Sequence, residues 1–211
     1  MTDARHLTTA ELEAGLEAIL QSPKDQGVLE LIVRRPQTDE REVLDEGELD
    51  LARGLVGDNW GPRGSANGAP ASLDRQLALM NARVIALLAQ TKERWPLAGD
   101  QLFVDLDLSA ANVPPGTRLE IGSAVIEVTA PPHTGCKKFT ERFGADAALP
   151  DVLMALALCT RRVDLLSVIV CTQGQGSHVK VAAGFGKLAR PDGAVGGQII
   201  GCVRSIIRVA E

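Results

Sequence analysis

The sequence has few aromatic residues, no tyrosine and no excess of basic residues. Aromatic residues make up 3% of the 211-residue chain, which disfavours the stacking of bases on aromatic side chains as a binding mode. The formal net charge is −5, whereas neutralising a phosphate backbone requires a basic surface. We therefore expect no nucleic acid among the partners of this protein.

Long apolar runs and closely spaced cysteines are also missing. The N-terminal residues lack the apolar core of a secretory signal, and no apolar run approaches the roughly 20 residues that span a bilayer. Four cysteines are too few for a disulfide scaffold. We therefore expect a cytoplasmic protein with reduced thiols and no membrane partner. The apolar fraction of 45% is sufficient for a packed globular core.

The pattern of residues predicts an N-terminal helix followed by a β-rich domain. The N-terminal segment, residues 1–24, contains this helix. It begins with a capping box at Thr8 and ends at Ser22-Pro23. In the domain 25–211, short segments separated by turns favour an α+β protein, mainly β, with a barrel or sandwich rather than a βαβ fold. We predict strands at 28–33, 41–44, 102–108, 118–121, 124–129, 165–172 and 199–209, helices at 81–92 (ended by Trp95-Pro96) and 152–159, and either element at 73–80.

The stretch from Ala130 to Phe139, with Cys136 near its end, carries the clearest chemical signal. It follows a strongly predicted strand, and Gly135 allows another molecule to approach the backbone closely. Lys137 and Lys138 come directly after Cys136 and favour its thiolate form, since neighbouring cations lower the pKa of a thiol. Cys136 is therefore a candidate nucleophile, sulfur carrier or soft metal ligand. The competing interpretation is that it is a small structural residue.

Other residues in and around this stretch have weaker signals. His133 lies three residues before Cys136 and is a candidate base for the thiol, with a solvated loop histidine as the alternative. Arg75 is a candidate for lining the site. A phosphatase loop from Cys136 to Arg142 is disfavoured because the residues between them are bulky and charged, and a zinc site is disfavoured because a second close pair of ligands is missing.

Four segments of the chain resemble the MOSC family, the domain named from the C-terminal part of molybdenum cofactor sulfurase. The most specific is GTRLEIGSAVIEVTAPPHTGCKKFTERFG, residues 116–144. GLVGDNW (54–60) resembles the family's Gly-Asp turn, DRQLALMNARVIALLA (74–89) the segment after it, and GDQLFVDLDLSAANVPPGTRLEIG (99–122) the approach to the cysteine strand. The resemblance is clearest over 28–144, and 145–211 diverges from the family pattern.

The resemblance implies a β-barrel with a cysteine at the mouth of the site. In the family this cysteine is proposed to ligate molybdenum in a pterin cofactor or to carry sulfur as a persulfide. Cys136 is then the metal ligand and, with His133, the catalytic candidate. Lys137, Lys138 and Arg75 are the candidates for binding the cofactor.

The resemblance leaves the activity open. Some bacterial relatives reduce N-hydroxylated compounds with electrons from a redox partner protein. The resemblance therefore implies a molybdenum-dependent oxidoreductase or a sulfur transferase, with a small-molecule cofactor or substrate. Where many relatives carry an asparagine-containing motif, this chain has Gly99-Asp100-Gln101-Leu102. A non-catalytic binding domain that keeps the barrel and has lost the cofactor is therefore the alternative.

Overall fold

A computed structural model describes residues 5–63, 68, 70–122, 124–130, 137–148, 166–171, 178–182 and 206–209. Its helices are α1 (Thr9–Ala14), α2 (Leu16–Leu20), α3 (Trp60–Arg63), α4 (Ala82–Ala89) and α5 (Lys137–Phe143), with 3-10 turns at Leu73–Arg75, Lys92–Ala98 and Asp146–Ala148. Its strands are β1 (Gly27–Arg34), β2 (Glu42–Leu44), β3 (Glu46–Asp50), β4 (Gly54–Leu55), β5 (Leu77–Asn81), β6 (Leu102–Asp105), β7 (Arg118–Ile121), β8 (Ala124–Val128), β9 (Leu166–Cys171), β10 (His178–Ala182) and β11 (Ile206–Val209).

In the described part of the chain, eight strands form one curled sheet in the order β11-β7-β8-β9-β5-β6-β1-β2. Strand β1 also pairs with β11, but only through Gly27 with Ile207 and Val28 with Ile206. At the other end of β1, the residues from Ile32 to Arg34 pair with β2. The expected α+β class is confirmed, and the sheet is a curled half-barrel rather than a closed barrel, since β11 meets β1 over only two residue pairs. A second sheet has the order β10-β3-β4.

The fold contains one parallel connection that the sequence pattern did not favour. β5 and β6 pair in parallel, and α4 with the following 3-10 turn connects them. The helix ends at Ala89 because Gln90 adopts a left-handed conformation, with φ of 63°. The predicted end of this helix at Trp95-Pro96 is wrong, since both residues lie inside the 3-10 turn.

The two faces of the curled sheet are buried in two clusters. Along β5, Leu77 and Leu79 face the inside of the curl, whereas Ala78 and Met80 pack against the helices. Leu12 of α1 and Ile19 of α2 belong to the helix-covered cluster. This alternation follows from the two-residue period of a strand. None of the helices in the described ranges has the length and apolar composition to cross a membrane.

Most sequence predictions for the described residues agree with the structure. The first helix is present as α1 and α2, with the capping box at Thr8, and the strands at 28–33, 41–44, 102–108, 118–121, 124–129 and 165–172 are present with small changes of boundary. The ambiguous segment 73–80 is a 3-10 turn followed by β5. The predicted helix at 152–159 lies outside the described residues.

Candidate functional site

The cysteine-bearing segment lies between two elements that the structure describes. β8 ends at Val128, the described residues continue to Ala130, and they begin again at Lys137, the first residue of α5. Cys136 and His133 therefore lie outside the described residues. The described part of the candidate site consists of the groups around the two ends of segment 131–136.

Helix α5 is anchored firmly just after Cys136. Phe139 and Phe143 are buried, with ring centroids 4.9 Å apart, and they belong to the helix-covered core. Arg142 Nη1 donates to the Leu97 carbonyl at 2.7 Å, and Arg94 Nη2 donates to the Arg142 carbonyl at 3.0 Å. The residue that follows the candidate cysteine therefore begins an element with a fixed position.

The two lysines after Cys136 have different surroundings. The Lys137 side chain is 92% exposed, and its Nζ lies 3.8 Å from a Glu141 carboxylate oxygen. Lys138 Nζ donates to both carboxylate oxygens of Asp39, at 2.6 and 2.8 Å. This contact holds the pKa of Asp39 below its usual range. The predicted action of both lysines on the Cys136 thiol stays a prediction.

Asp39 lies at the centre of a group of cations that we call the cationic cluster: Arg41, Lys138 and Arg142. Arg142 Nη2 is 3.3 Å from Asp39 Oδ1. Arg41 Nε donates to the Pro96 carbonyl at 3.1 Å and Nη1 to the Glu40 carbonyl at 2.6 Å. Burial lowers the pKa of Arg41, and repulsion by Arg142 and Arg35 adds to the effect. Lys138 and Arg142 of α5 thus contact the Asp39 carboxylate directly, and the charge of Arg41 acts on it without a hydrogen bond.

Arg75 lies near the other end of the cysteine-bearing segment. It is exposed and ends the 3-10 turn that precedes β5. The hydroxyl of Thr129, directly after β8, donates to the carbonyl of the neighbouring Asp74 at 2.6 Å. Arg75 is therefore placed where segment 131–136 begins, and Lys138 where it ends.

The Gly-Asp turn acts as a structural support. Gly57 has φ of +83°, and a Cβ there would lie 2.8 Å from Arg34 Nη1, so this position favours glycine. The buried carboxylate of Asp58 accepts from Arg35 Nε and Nη2 at 2.8 and 2.7 Å, and from the backbone N–H groups of Arg35 and Trp60. This bidentate pair ties the end of β1 to the turn after β4.

Asp100 is the second buried aspartate near this turn. Its side chain has no exposed surface, and within the described ranges neither carboxylate oxygen has a hydrogen-bond partner on another residue. Burial raises its pKa to about 7, and the charges of Arg35 and Arg41 oppose this change. The raised pKa means that this carboxyl takes up and releases its proton near neutral pH.

Sequence reasoning did not identify Asp39 and Arg41 and noted Arg142 only for its spacing from Cys136. These residues have no local signal because their partners are distant in the chain: Lys138 lies 99 residues after Asp39, and Pro96 lies 55 residues after Arg41. Asp100 had a signal, namely the departure from the family motif. No group of three or more histidine, cysteine or acidic residues suited to a metal occurs among the residues described.

No family model and no curated protein matches the chain. Among solved structures, the YuaD protein from Bacillus subtilis aligns with 14% identity over 87% of this chain and 94% of its own, with a TM-score of 0.52. YiiM from Escherichia coli (17% identity, 87% and 70% coverage, TM-score 0.44) and YiiM from Geobacillus stearothermophilus (11%, 88% and 75%, 0.46) are also similar. The likeness to YuaD is one of fold, and it covers most of both chains.

Proposed function

We propose that the chain binds a molybdenum–pterin cofactor, with the Cys136 sulfur as a metal ligand and the cationic cluster as the site for the cofactor's phosphate. The observation that carries this proposal is the position of Lys138 and Arg142. Both belong to α5, the helix directly after Cys136, and both meet Asp39 close to Arg41. The candidate thiol at Cys136 thus directly precedes the helix that carries two cations of the cluster, and the resemblance to the MOSC family supports the same proposal.

The donors of the cationic cluster fit an anionic group. Arg41 uses Nε and Nη1 for backbone carbonyls, and Arg142 uses Nη1 for a carbonyl and Nη2 for Asp39. A guanidinium has five N–H groups, so both arginines keep donors for a further acceptor. Arginine pairs well with phosphate through two parallel hydrogen bonds, and a thiolate is a soft ligand suited to the metal.

The bound cofactor would supply two-electron redox chemistry at the metal. Cys136 would hold the metal, with the charge of Lys137 favouring the thiolate. His133 would hold or transfer a proton, and the cationic cluster would orient the cofactor. Reduction of an N-hydroxylated substrate to the amine consumes two electrons and two protons and releases water. A redox partner protein would supply the electrons.

Two alternatives use the same residues. In sulfur transfer, Cys136 carries the sulfur as a persulfide and no metal is needed. In a non-catalytic binding domain, the cofactor has been lost. The sequence Gly99-Asp100-Gln101-Leu102, in place of an asparagine-containing motif, favours this second alternative.

Metal, pterin and persulfide analysis of purified protein from a host that makes the cofactor tests the proposal. We expect about one molybdenum per chain, and we expect Cys136→Ala to lose the metal because the ligand is gone. A double variant, Arg41→Gln with Arg142→Gln, should retain less pterin, whereas Arg118→Gln, which removes an exposed arginine of β7, should retain as much as the wild type.

The outcomes separate the alternatives. A wild-type protein without molybdenum or pterin contradicts the cofactor proposal. A persulfide on Cys136 in that protein supports sulfur transfer, and its absence supports a binding domain. Unchanged molybdenum content in Cys136→Ala would reject the assignment of the ligand.

A further inference from the structure

Asp100 is held inside the protein by its chain neighbours. The Gly99 carbonyl accepts from Arg35 Nη1 at 2.8 Å. The backbone N–H of Gln101 donates to Ala78, and its carbonyl accepts from Val33, at 3.2 and 2.8 Å. The backbone on both sides of Asp100 is therefore held by hydrogen bonds, and the side chain between them is fully buried.

Two cations act on Asp100 without donating a hydrogen bond to it. Arg35 is occupied by Asp58 and the Gly99 carbonyl, and Arg41 donates to the Glu40 and Pro96 carbonyls. Both charges nevertheless favour the ionised carboxylate. Arg41 also lies close in space, because a Cβ at Gly99, the residue before Asp100, would be 3.9 Å from Arg41 Nη2. Since Arg41 belongs to the cationic cluster as well, it lies between the buried carboxyl and the proposed anion site.

The other charged groups of the preceding 3-10 turn have partners elsewhere. Lys92 pairs with Glu30 at 3.2 Å, and Arg94 donates to the carbonyls of Ala89 and Arg142. Glu93 accepts from its own backbone N–H and from Thr91. Of the described charged groups, Arg35 and Arg41 are therefore the two whose charges act on Asp100, and both oppose the larger effect of burial.

We infer that Asp100 is a positioning residue that takes up a proton when a dianion binds to Arg41 and Arg142 and releases it when the dianion leaves. When Asp100 is neutral, the positive charge of Arg41 attracts the anion without competition. When Asp100 is ionised, its carboxylate also attracts Arg41 and repels the anion. By linkage, an anion that opposes ionisation of Asp100 must bind more tightly to the protonated form. The inference rests on the proposed function, which places a phosphate at this cluster.

The titration of Asp100, followed by NMR of its carboxyl carbon from pH 5 to 9 with and without sulfate, tests this inference. Sulfate is the probe because it stays a dianion over this range, and chloride keeps the ionic strength constant. We expect a midpoint near 7 without sulfate and a midpoint about 0.5 to 1 unit higher at saturating sulfate. The affinity for sulfate should then fall about three- to tenfold as the pH rises through the midpoints.

Two variants sharpen the result. In Asp100→Asn, sulfate should bind with the wild type's low-pH affinity at every pH. In Arg41→Gln, the midpoint of Asp100 should rise and no longer respond to sulfate, whereas Arg118→Gln should behave like the wild type. A midpoint near 4, or a midpoint that sulfate does not move, overturns the inference, and the wild-type titration decides this even if a variant fails to fold.

Failure of this inference is distinguishable from failure of the cofactor proposal. A protein without molybdenum in which sulfate moves the Asp100 midpoint supports the proton linkage and contradicts the cofactor proposal. A protein that holds molybdenum, but in which sulfate does not move the Asp100 midpoint, supports the cofactor proposal and contradicts the proton linkage.

Discussion

Asp58 and Asp100 place the same side chain in two different buried surroundings. Asp58 accepts two hydrogen bonds from the Arg35 guanidinium and two from backbone N–H groups, which compensate for the loss of water. Asp100 has no such partner within the described ranges. A buried charge is tolerated only when it is paired, and otherwise the group tends to become neutral.

Replacing Asp58 with asparagine should strongly destabilise the fold. The charge of Arg35 would lose its partner in a site where the carboxylate is fully buried, and such a loss costs about 3 kcal/mol or more. Urea unfolding measures the free energy. Glu42→Gln is the matched control, because it removes the carboxylate of a more exposed pair with Arg34 and should cost less than about 1 kcal/mol. Equal losses in the two variants would contradict this prediction.

Asp100→Asn should change the pH dependence of stability. The pKa of Asp100 is about 7 in the folded protein and near 3.9 in an unfolded chain, so the folded state binds more protons between these values. This contribution to stability is complete below about pH 4 and is lost as the pH rises towards 7. From pH 5 to 7, the variant should therefore gain roughly 2 kcal/mol relative to the wild type.

Urea unfolding of both proteins at several pH values measures this gain. Contributions from other groups cancel because both proteins share them. Asp74→Asn, which changes an exposed aspartate, serves as the control and should show no such trend. A difference between wild type and Asp100→Asn that stays constant from pH 5 to 7 would argue against a raised pKa.

At the scale of elements, the β5–α4–β6 connection depends on one asparagine. Asn81 ends β5 and caps α4, since its side-chain oxygen accepts from the backbone N–H groups of Arg83 and Val84. Its Nδ2 donates to the Ser22 hydroxyl at 3.0 Å and to the Leu106 carbonyl at 2.7 Å. A single buried side chain thus joins a strand, a helix and the segment after β6.

Asn81→Ala should destabilise the protein by about 2 to 4 kcal/mol. The variant loses a helix cap and leaves buried polar groups without a partner. Thr8→Ala is the control, because it removes a cap from the exposed start of α1 and should cost about 1 kcal/mol. The measurement is the free energy of unfolding in urea, and a loss in Asn81→Ala no larger than that in Thr8→Ala would disprove the role assigned to Asn81.

At the scale of the whole molecule, β11 pairs with two strands of the curled sheet, β7 and β1. Ile207 of β11 faces Gly27 of β1 on one side and Ile121 of β7 on the other. It is fully buried in the cluster inside the curl. The region that diverges most from the family pattern therefore contributes a strand to the main core.

Ile207→Ala should destabilise the protein by about 2 to 4 kcal/mol, because it leaves a cavity where the sheet edges meet. Arg208 is its neighbour and faces solvent, so Arg208→Ala should change the free energy of unfolding by less than about 0.5 kcal/mol. Thermal and urea unfolding compare the two. A loss below 1 kcal/mol in Ile207→Ala would show that the curl does not depend on β11.

Elements with a strong local pattern were predictable from the sequence. The apolar residues of β7 and β8, bounded by turns, and the capping box of α1 determine structure through neighbouring residues. β3 and β10 were missed because one is acidic and the other lies in a glycine-rich region, and both are unfavourable for strands. They form by pairing with each other across more than 120 residues, from His178 with Asp50 to Ala182 with Glu46.

The residues of the candidate site also fall into two groups: those that the sequence predicted and those that only the structure revealed. The sequence by itself determined the candidate thiol, its adjacent lysines and the family resemblance, because these are properties of consecutive residues. Only the tertiary structure decided that Lys138 and Arg142 meet at Asp39, and that Asp100 is buried with no partner on another described residue. The physical reason is that charge pairing and burial depend on distances in space, which residues 39, 100 and 138 acquire only when the chain folds.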